Sequence, residues 1–113
     1  MTTRTLALPQ HFTTCDWDDI PVTEHPGETG VAFWKTQQHE GVRLRMVRYT
    51  PGYLADHWCE RGHVLFVLSG TIVTELRNGE SVTLDAGCSY AVADGASSHR
   101  SRTETGATLF IVD

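Results

Sequence analysis

Long apolar runs are missing from this chain of 113 residues. None approaches the roughly 20 residues that a membrane-spanning helix needs, so no membrane partner is expected. The stretch from Met1 to Pro9 holds too short an apolar segment for a secretory leader. Cysteine is scarce. The three residues Cys15, Cys59 and Cys88 are an odd number and do not suggest a disulfide framework. These absences point to a cytoplasmic protein with reduced thiols. Positive charge is short as well. Nine Lys and Arg against 14 Asp and Glu leave a net charge of −5, which argues against nucleic acid, a partner that selects a basic face. Arg43, Arg45 and Arg48, and Arg100 with Arg102, sit among acidic residues and read as solvated strand faces. No stretch shows the 3.6-residue period of an amphipathic helix. Tandem repeats and low-complexity segments are absent too.

What is present is a series of short β-type runs divided by turn residues. Residues 1–14 are polar and Thr-rich and read as an N-terminal arm; residues 15–113 read as one domain. Cys15 to Trp17 is expected to be a short strand, and Asp18 to Gly30, with two prolines and two glycines, a loop. Strands are expected over Val31–Gln38, Val42–Thr50, His63–Leu68, Thr71–Arg77, Glu80–Leu84, Cys88–Val92, His99–Thr103 and Ala107–Val112. Ser69-Gly70 is expected to break the chain. Asn78-Gly79 is the strongest hairpin signal, with both residues suited to the positive φ of a type I′ turn. His63 to Leu68 does not alternate cleanly, as in a strand covered on both faces, one of them by a second sheet or a subunit. Evenly spaced short strands without helices predict an all-β antiparallel sandwich, jelly roll or barrel.

The chemistry-bearing stretch is Gly52 to Gly70. His57, Cys59 and His63 offer three transition-metal ligands within seven residues. His57 and Cys59 lie two apart, so a strand would point both to one face. Arg61-Gly62 would turn the chain and His63 would open the return strand. His99, far along the sequence after a Gly-rich loop, is a fourth candidate. Cys59 has two readings, a thiolate ligand or a small buried apolar residue. Arg48 breaks an apolar face and either points into a pocket to hold an anion or is thrown to solvent by a bulge. Tyr53 and Tyr90, with Tyr49, are candidates for a pocket mouth or for plain core packing. Asp56 and Trp58 face away from the His57 and Cys59 side, and Cys15 and Cys88 read as buried thiols.

These residues, in this order, resemble a cupin. Gly52, His57, Cys59, His63 and Gly70 follow the family's first motif, which has Gly, His, His, Glu and Gly, with four residues instead of five between Gly52 and His57. Gly87, Ala93-Asp94-Gly95, His99 and Thr103 follow its second motif, where the family has Gly, Pro-x-Gly, His and Asn. The two stretches span residues 52–103. More narrowly, Ala55-Asp56-His57-Trp58-Cys59 with Arg61-Gly62-His63, and the ending from Val92 to Asp113, resemble a group of small bacterial cupins named for an Asp-His-Cys-Trp (DHCW) motif. The resemblance implies a jelly-roll β-barrel or sandwich of about 8–10 antiparallel strands and a homodimer. It also implies a metal centre in the barrel at His57, Cys59, His63 and His99. Three imidazoles and a thiol suit one divalent transition ion, Zn, Fe or Ni, better than Mg²⁺ or Ca²⁺.

The group resembled has no assigned reaction, so three readings stand. The first is a metalloenzyme of oxygenase, isomerase or hydrolase type that acts on a small molecule in the barrel. The second is a non-catalytic barrel that binds a small molecule or a structural ion. The third is a structural homodimer with a vestigial pocket.

Overall fold

The computed structural model describes residues 8–113. The first seven residues of the expected arm therefore lie outside the described residues, and residues 8–14 are without helix or strand. Eight strands follow: β1 (Thr23–Pro26), β2 (Val31–Gln38), β3 (Arg43–Tyr49), β4 (His63–Leu76), β5 (Ser81–Asp85), β6 (Ser89–Val92), β7 (His99–Arg102) and β8 (Ala107–Val112). All pairings are antiparallel. One sheet runs β1-β2-β3-β8-β4-β6 and the other β5-β4-β7, so β4 belongs to both. This is the expected all-β jelly-roll architecture.

The sharing of β4 corrects one boundary. Ser69-Gly70 was expected to break the chain, yet His63–Leu76 is a single 14-residue strand. Its register against β8 shifts between Val67 and Ser69. At Gly70 the strand leaves β8 and begins to pair with β5. Gly70 takes a φ of 78°, and a Cβ there would lie 2.2 Å from the carbonyl oxygen of Gly106. Only glycine lets the backbone twist from one sheet into the other at that distance.

The inward positions alternate as strands require. Val47 on β3, Leu65, Val67 and Ile72 on β4, and Leu109 and Ile111 on β8 form the centre of the core. Each fully buried side chain of this size stabilises the fold by about 1.5–3 kcal/mol. On β4 the alternate residues Val64, Phe66 and Leu68 are exposed. The expected covering of both faces is thus met on one face only within a single chain.

Four local expectations change. Cys15 to Trp17 is not a strand; Trp17–Asp19 forms a 3₁₀ turn, because the Asp16 carboxylate accepts from the Asp18 amide and caps it. The span read as loop contains β1, an edge strand whose Pro26 costs no ladder bond at its end. The Asn78-Gly79 hairpin forms, but only Gly79 has positive φ. Its amide donates to the Leu76 carbonyl, so the turn is a one-glycine type and not I′. Cys15 is half-buried and Cys88 exposed, against the reading of both as buried thiols.

Candidate metal centre

The site forms where β7 meets the irregular segment before β4. Cys59 and His99 are directly opposite partners: the Cys59 amide donates to the His99 carbonyl at 2.7 Å, and the His99 amide returns the bond at 3.0 Å. Side chains of such a pair emerge on one face with their Cβ atoms about 5 Å apart. His63, the first residue of β4, supplies the third donor from the adjoining sheet. Gly62 permits this approach, since a Cβ there would meet the backbone between Val92 and Asp94. The potential ligand atoms of Cys59, His63 and His99 all lie within 4.8 Å of one another.

The geometry of the two imidazoles bears on whether a metal fits. Nδ1 of His99 lies 2.8 Å from the Ser97 carbonyl oxygen, which can only accept. Nδ1 therefore carries the proton and Nε2 the lone pair. That lone pair faces Nε2 of His63 at 3.2 Å. Two nitrogens each about 2.1 Å from a shared ion and 3.2 Å apart subtend roughly 100° at it, between octahedral and tetrahedral angles. A carbonyl that fixes the tautomer of a ligating His is the usual supporting contact in metal sites. Burial pushes the His63 imidazole down to about 4, helped by the nearby His99 and by the Arg45 and Arg61 charges. His63 is neutral at pH 7, as a ligand must be. The donor set of two imidazoles and a thiol fits a borderline transition ion.

His57 stands apart from this cluster. The strand expected through His57 and Cys59 is not formed; the backbone bends at Asp56 and His57, so the two-residue rule no longer applies. The His57 imidazole is 76% exposed and lies 2.6 Å from the Asp56 carboxylate, at the rim of the cavity. Trp58, read as facing away, also lines the cavity, with Arg100 4.7 Å from its ring.

Cys59, His63 and His99 open onto a cavity of about 360 Å³. Tyr53 and Tyr90 both line it, and both also pack in or against the core. The Tyr90 hydroxyl is 2.8 Å from His63 Nε2. Burial raises the Tyr90 and Tyr53 phenols above their ordinary range, so both stay protonated. Tyr53 stacks on Tyr49 with centroids 4.2 Å apart. Arg48 lies elsewhere. It is exposed, stacks on Phe33 at 4.4 Å, and borders a depression on the outer face with Trp17 and Met46.

Four other arginines line the cavity, Arg43, Arg45, Arg61 and Arg100. Arg45 is only 6% exposed and Arg43 half-buried, which overturns the reading of these two as a solvated face, while Arg48 is solvated. Arg43 donates from Nε and Nη2 to the two carboxylate oxygens of Asp113, and Arg45 from Nη2 to one of them, all at 2.9 Å. Burial alone would raise the Asp113 carboxyl; the Arg43 hydrogen bonds and the Arg45 and Arg61 charges outweigh it and hold the group below its usual range. The signal was present in the sequence. Val47 and Tyr49 point inward, and period-two alternation continues that face through Arg45 and Arg43.

Solved structures of the same architecture include a cupin-2 domain protein from Shewanella frigidimarina. It is 19% identical over 71% of this chain and 78% of its own, with a TM-score of 0.59. A predicted oxalate decarboxylase from Thermotoga maritima aligns over 88% of this chain and 96% of its own, at 16% identity and a TM-score of 0.75. This chain has the cupin fold. A third cupin-like match, Fe(II)-HppE with an alternative substrate, is 15% identical over 94% of this chain and 62% of its own, with a TM-score of 0.74. No protein-family model matches the chain, and no curated protein matches it by sequence. Identities this low carry the fold and leave the reaction to be argued from the site.

Proposed function

We propose that this cupin-fold barrel holds one divalent transition ion on Cys59, His63 and His99 and binds or acts on a small molecule in the adjoining cavity. The observation that carries this reading is the facing pair of imidazole nitrogens 3.2 Å apart, with a thiol in the same cluster, at the wall of a cavity of about 360 Å³. With His57 turned to solvent, the protein supplies three ligands. An ion held that way keeps open positions for solvent or substrate, as catalytic sites do and closed structural sites do not. This favours a metalloenzyme over a structural site. The proposed ion is Zn²⁺, Fe²⁺ or Ni²⁺, and the reaction class falls among oxygenase, isomerase and hydrolase chemistry.

When bound, the ion would supply Lewis acidity or redox chemistry at its open position. The protein's own residues set the rest. The Ser97 carbonyl fixes the tautomer of His99. Tyr90, kept protonated by burial, offers a neutral hydroxyl beside His63. Tyr49, Tyr53 and Trp34 give the cavity an aromatic wall.

The exposed row of Val64, Phe66 and Leu68 favours a homodimer in which a second copy covers that face. The protein is proposed to work in the cytoplasm, where Cys59 stays reduced, and to belong with the Asp-His-Cys-Trp group.

Cobalt substitution tests the site. Co²⁺ added to the metal-free protein is expected to give visible ligand-field bands and a near-ultraviolet thiolate charge-transfer band. Cys59→Ser should lose the second and keep the first. Failure of the wild type to bind Co²⁺ tightly under reducing conditions would sink the proposal.

A further inference from the structure

The charged side chains around the cavity are unevenly matched. The guanidinium groups of Arg43, Arg45 and Arg61 converge on one side-chain carboxylate, Asp113, whose side chain is 1% exposed. Arg43 takes both of its oxygens in a fork. Arg45 shares one of them through Nη2, and its Nε is buried without a hydrogen-bond partner among the described residues. Arg61 Nε stays 3.7 Å away, beyond hydrogen-bond reach, on a side chain that is 56% exposed at the cavity mouth. One face of the Arg45 guanidinium is closed by the Trp34 ring at 4.3 Å. Buried polar groups are nearly always hydrogen-bonded and buried charges paired. Here a buried arginine keeps an unused donor, and four arginines line the cavity against two carboxylates, Asp113 and Glu60, in a chain whose overall charge is −5. The acids at the same mouth are otherwise engaged: Glu60 accepts from Ser98, and Arg100, the fourth cavity arginine, is held by Glu75.

We propose that the cavity takes a small molecule bearing a carboxylate, with its anionic end between Arg45 and Arg61 and the remainder directed toward Cys59, His63 and His99. The inference rests on the reading of this barrel as a small-molecule site and adds the class of molecule. A planar carboxylate suits guanidinium donors, which present paired N–H groups in a fixed fork. The volume of about 360 Å³ is at the small end of ligand pockets, which favours compact acids. Arg61 is exposed enough to swing onto an incoming anion, and Arg45 is fixed in advance by Asp113 and Trp34.

Matched acid and amide probes test this by calorimetry and thermal shift: pyruvate against pyruvamide, and benzoate against benzamide. Each is measured on metal-free and on zinc-loaded protein, because an ion would itself attract an acid. The metal-free wild type should bind at least one acid about 10-fold more tightly than its amide, the range expected for a charged hydrogen-bonded contact. Arg61→Ala, at an exposed position that need not disturb folding, should lower that preference to under about 3-fold. Arg45→Met should abolish it. Zinc affinity, measured separately with a chromogenic chelator, should remain within about 3-fold in Arg61→Ala. Equal binding of acids and amides by the wild type, or full preference retained in both variants, overturns the inference and leaves the metal reading untouched. Acid preference that depends on Arg61 in a protein unable to bind zinc supports the inference and overturns the metal reading instead.

Discussion

Replacing Asp113 by Asn removes a charge and keeps the shape, so its cost isolates what that carboxylate does for the barrel. Among the described residues Asp113 is the only side-chain carboxylate touching Arg43 and Arg45 in the cavity wall, and its side chain is 1% exposed. Breaking a buried ion pair from one side costs about 3–5 kcal/mol, because a charge is left buried and unpaired. Arg45 is buried to that degree, but the Arg43 side chain is 21% exposed, and water relieves part of its penalty. The expected loss is therefore about 2–4 kcal/mol, which lowers Tm by about 10–20 °C in a domain of this size. Urea unfolding of the metal-free protein at pH 7, with m held unchanged, measures it directly. Acid titration supplies a second readout. The folded carboxyl is held below its unfolded value, so its contribution is present above about pH 4 and is lost as pH falls through the folded value. The acid-sensitive arm should be shallower in Asp113→Asn than in the wild type, with the part due to Glu75 and Asp56 remaining. A loss below about 0.5 kcal/mol together with an unchanged acid arm would refute the claim that Asp113 organises the arginines.

Three further outcomes follow from the same geometry. Gly70→Ala should destabilise by more than about 1 kcal/mol in urea, since the site combines positive φ with a Cβ 2.2 Å from Gly106 O; a neutral result would mean that β4 crosses between sheets differently. Metal-free protein should lose stability between about pH 6.5 and pH 4: the His63 imidazole is lowered on folding, so protons bind the unfolded chain first in that window. His63→Leu should flatten that part of a Tm-against-pH curve, and an identical slope would contradict the assignment. Phe66→Glu, on the exposed face of β4, should convert a dimer to a monomer by light scattering without changing the strand content; a wild type that is already monomeric would remove the dimer proposal.

The strands were the legible part of the fold because their signal is local. β2, β3, β5, β6, β7 and β8 fall within a residue or two of the runs marked by β-branched and aromatic residues between turn glycines. What escaped was set by distant partners. Ser69-Gly70 carries a break signal, yet β8 on one side of it and β5 on the other hold it in one continuous strand. β1 exists because β2 offers it an edge, which no property of Thr23 to Pro26 announces. At the site, Cys59, His63 and His99 were found because ligand chemistry survives imperfect knowledge of the backbone. His57 was grouped with them on strand geometry, and the segment bends there. Arg43 and Arg45 were misread because charge is a surface signal until a partner such as Asp113, 68 residues from Arg45, is known.

The central claim is that the metal sits on His63, His99 and Cys59 and does not depend on His57. Elemental analysis of the purified wild type, His57→Ala and His63→Ala, each reconstituted with the same ion under reducing conditions, tests it most directly. The account predicts about one equivalent per chain in the wild type and in His57→Ala, and a loss of at least about 10-fold in His63→Ala, the scale on which metal sites respond to lost support. Metal retained by His63→Ala and lost by His57→Ala, or no metal in any of the three, would contradict it.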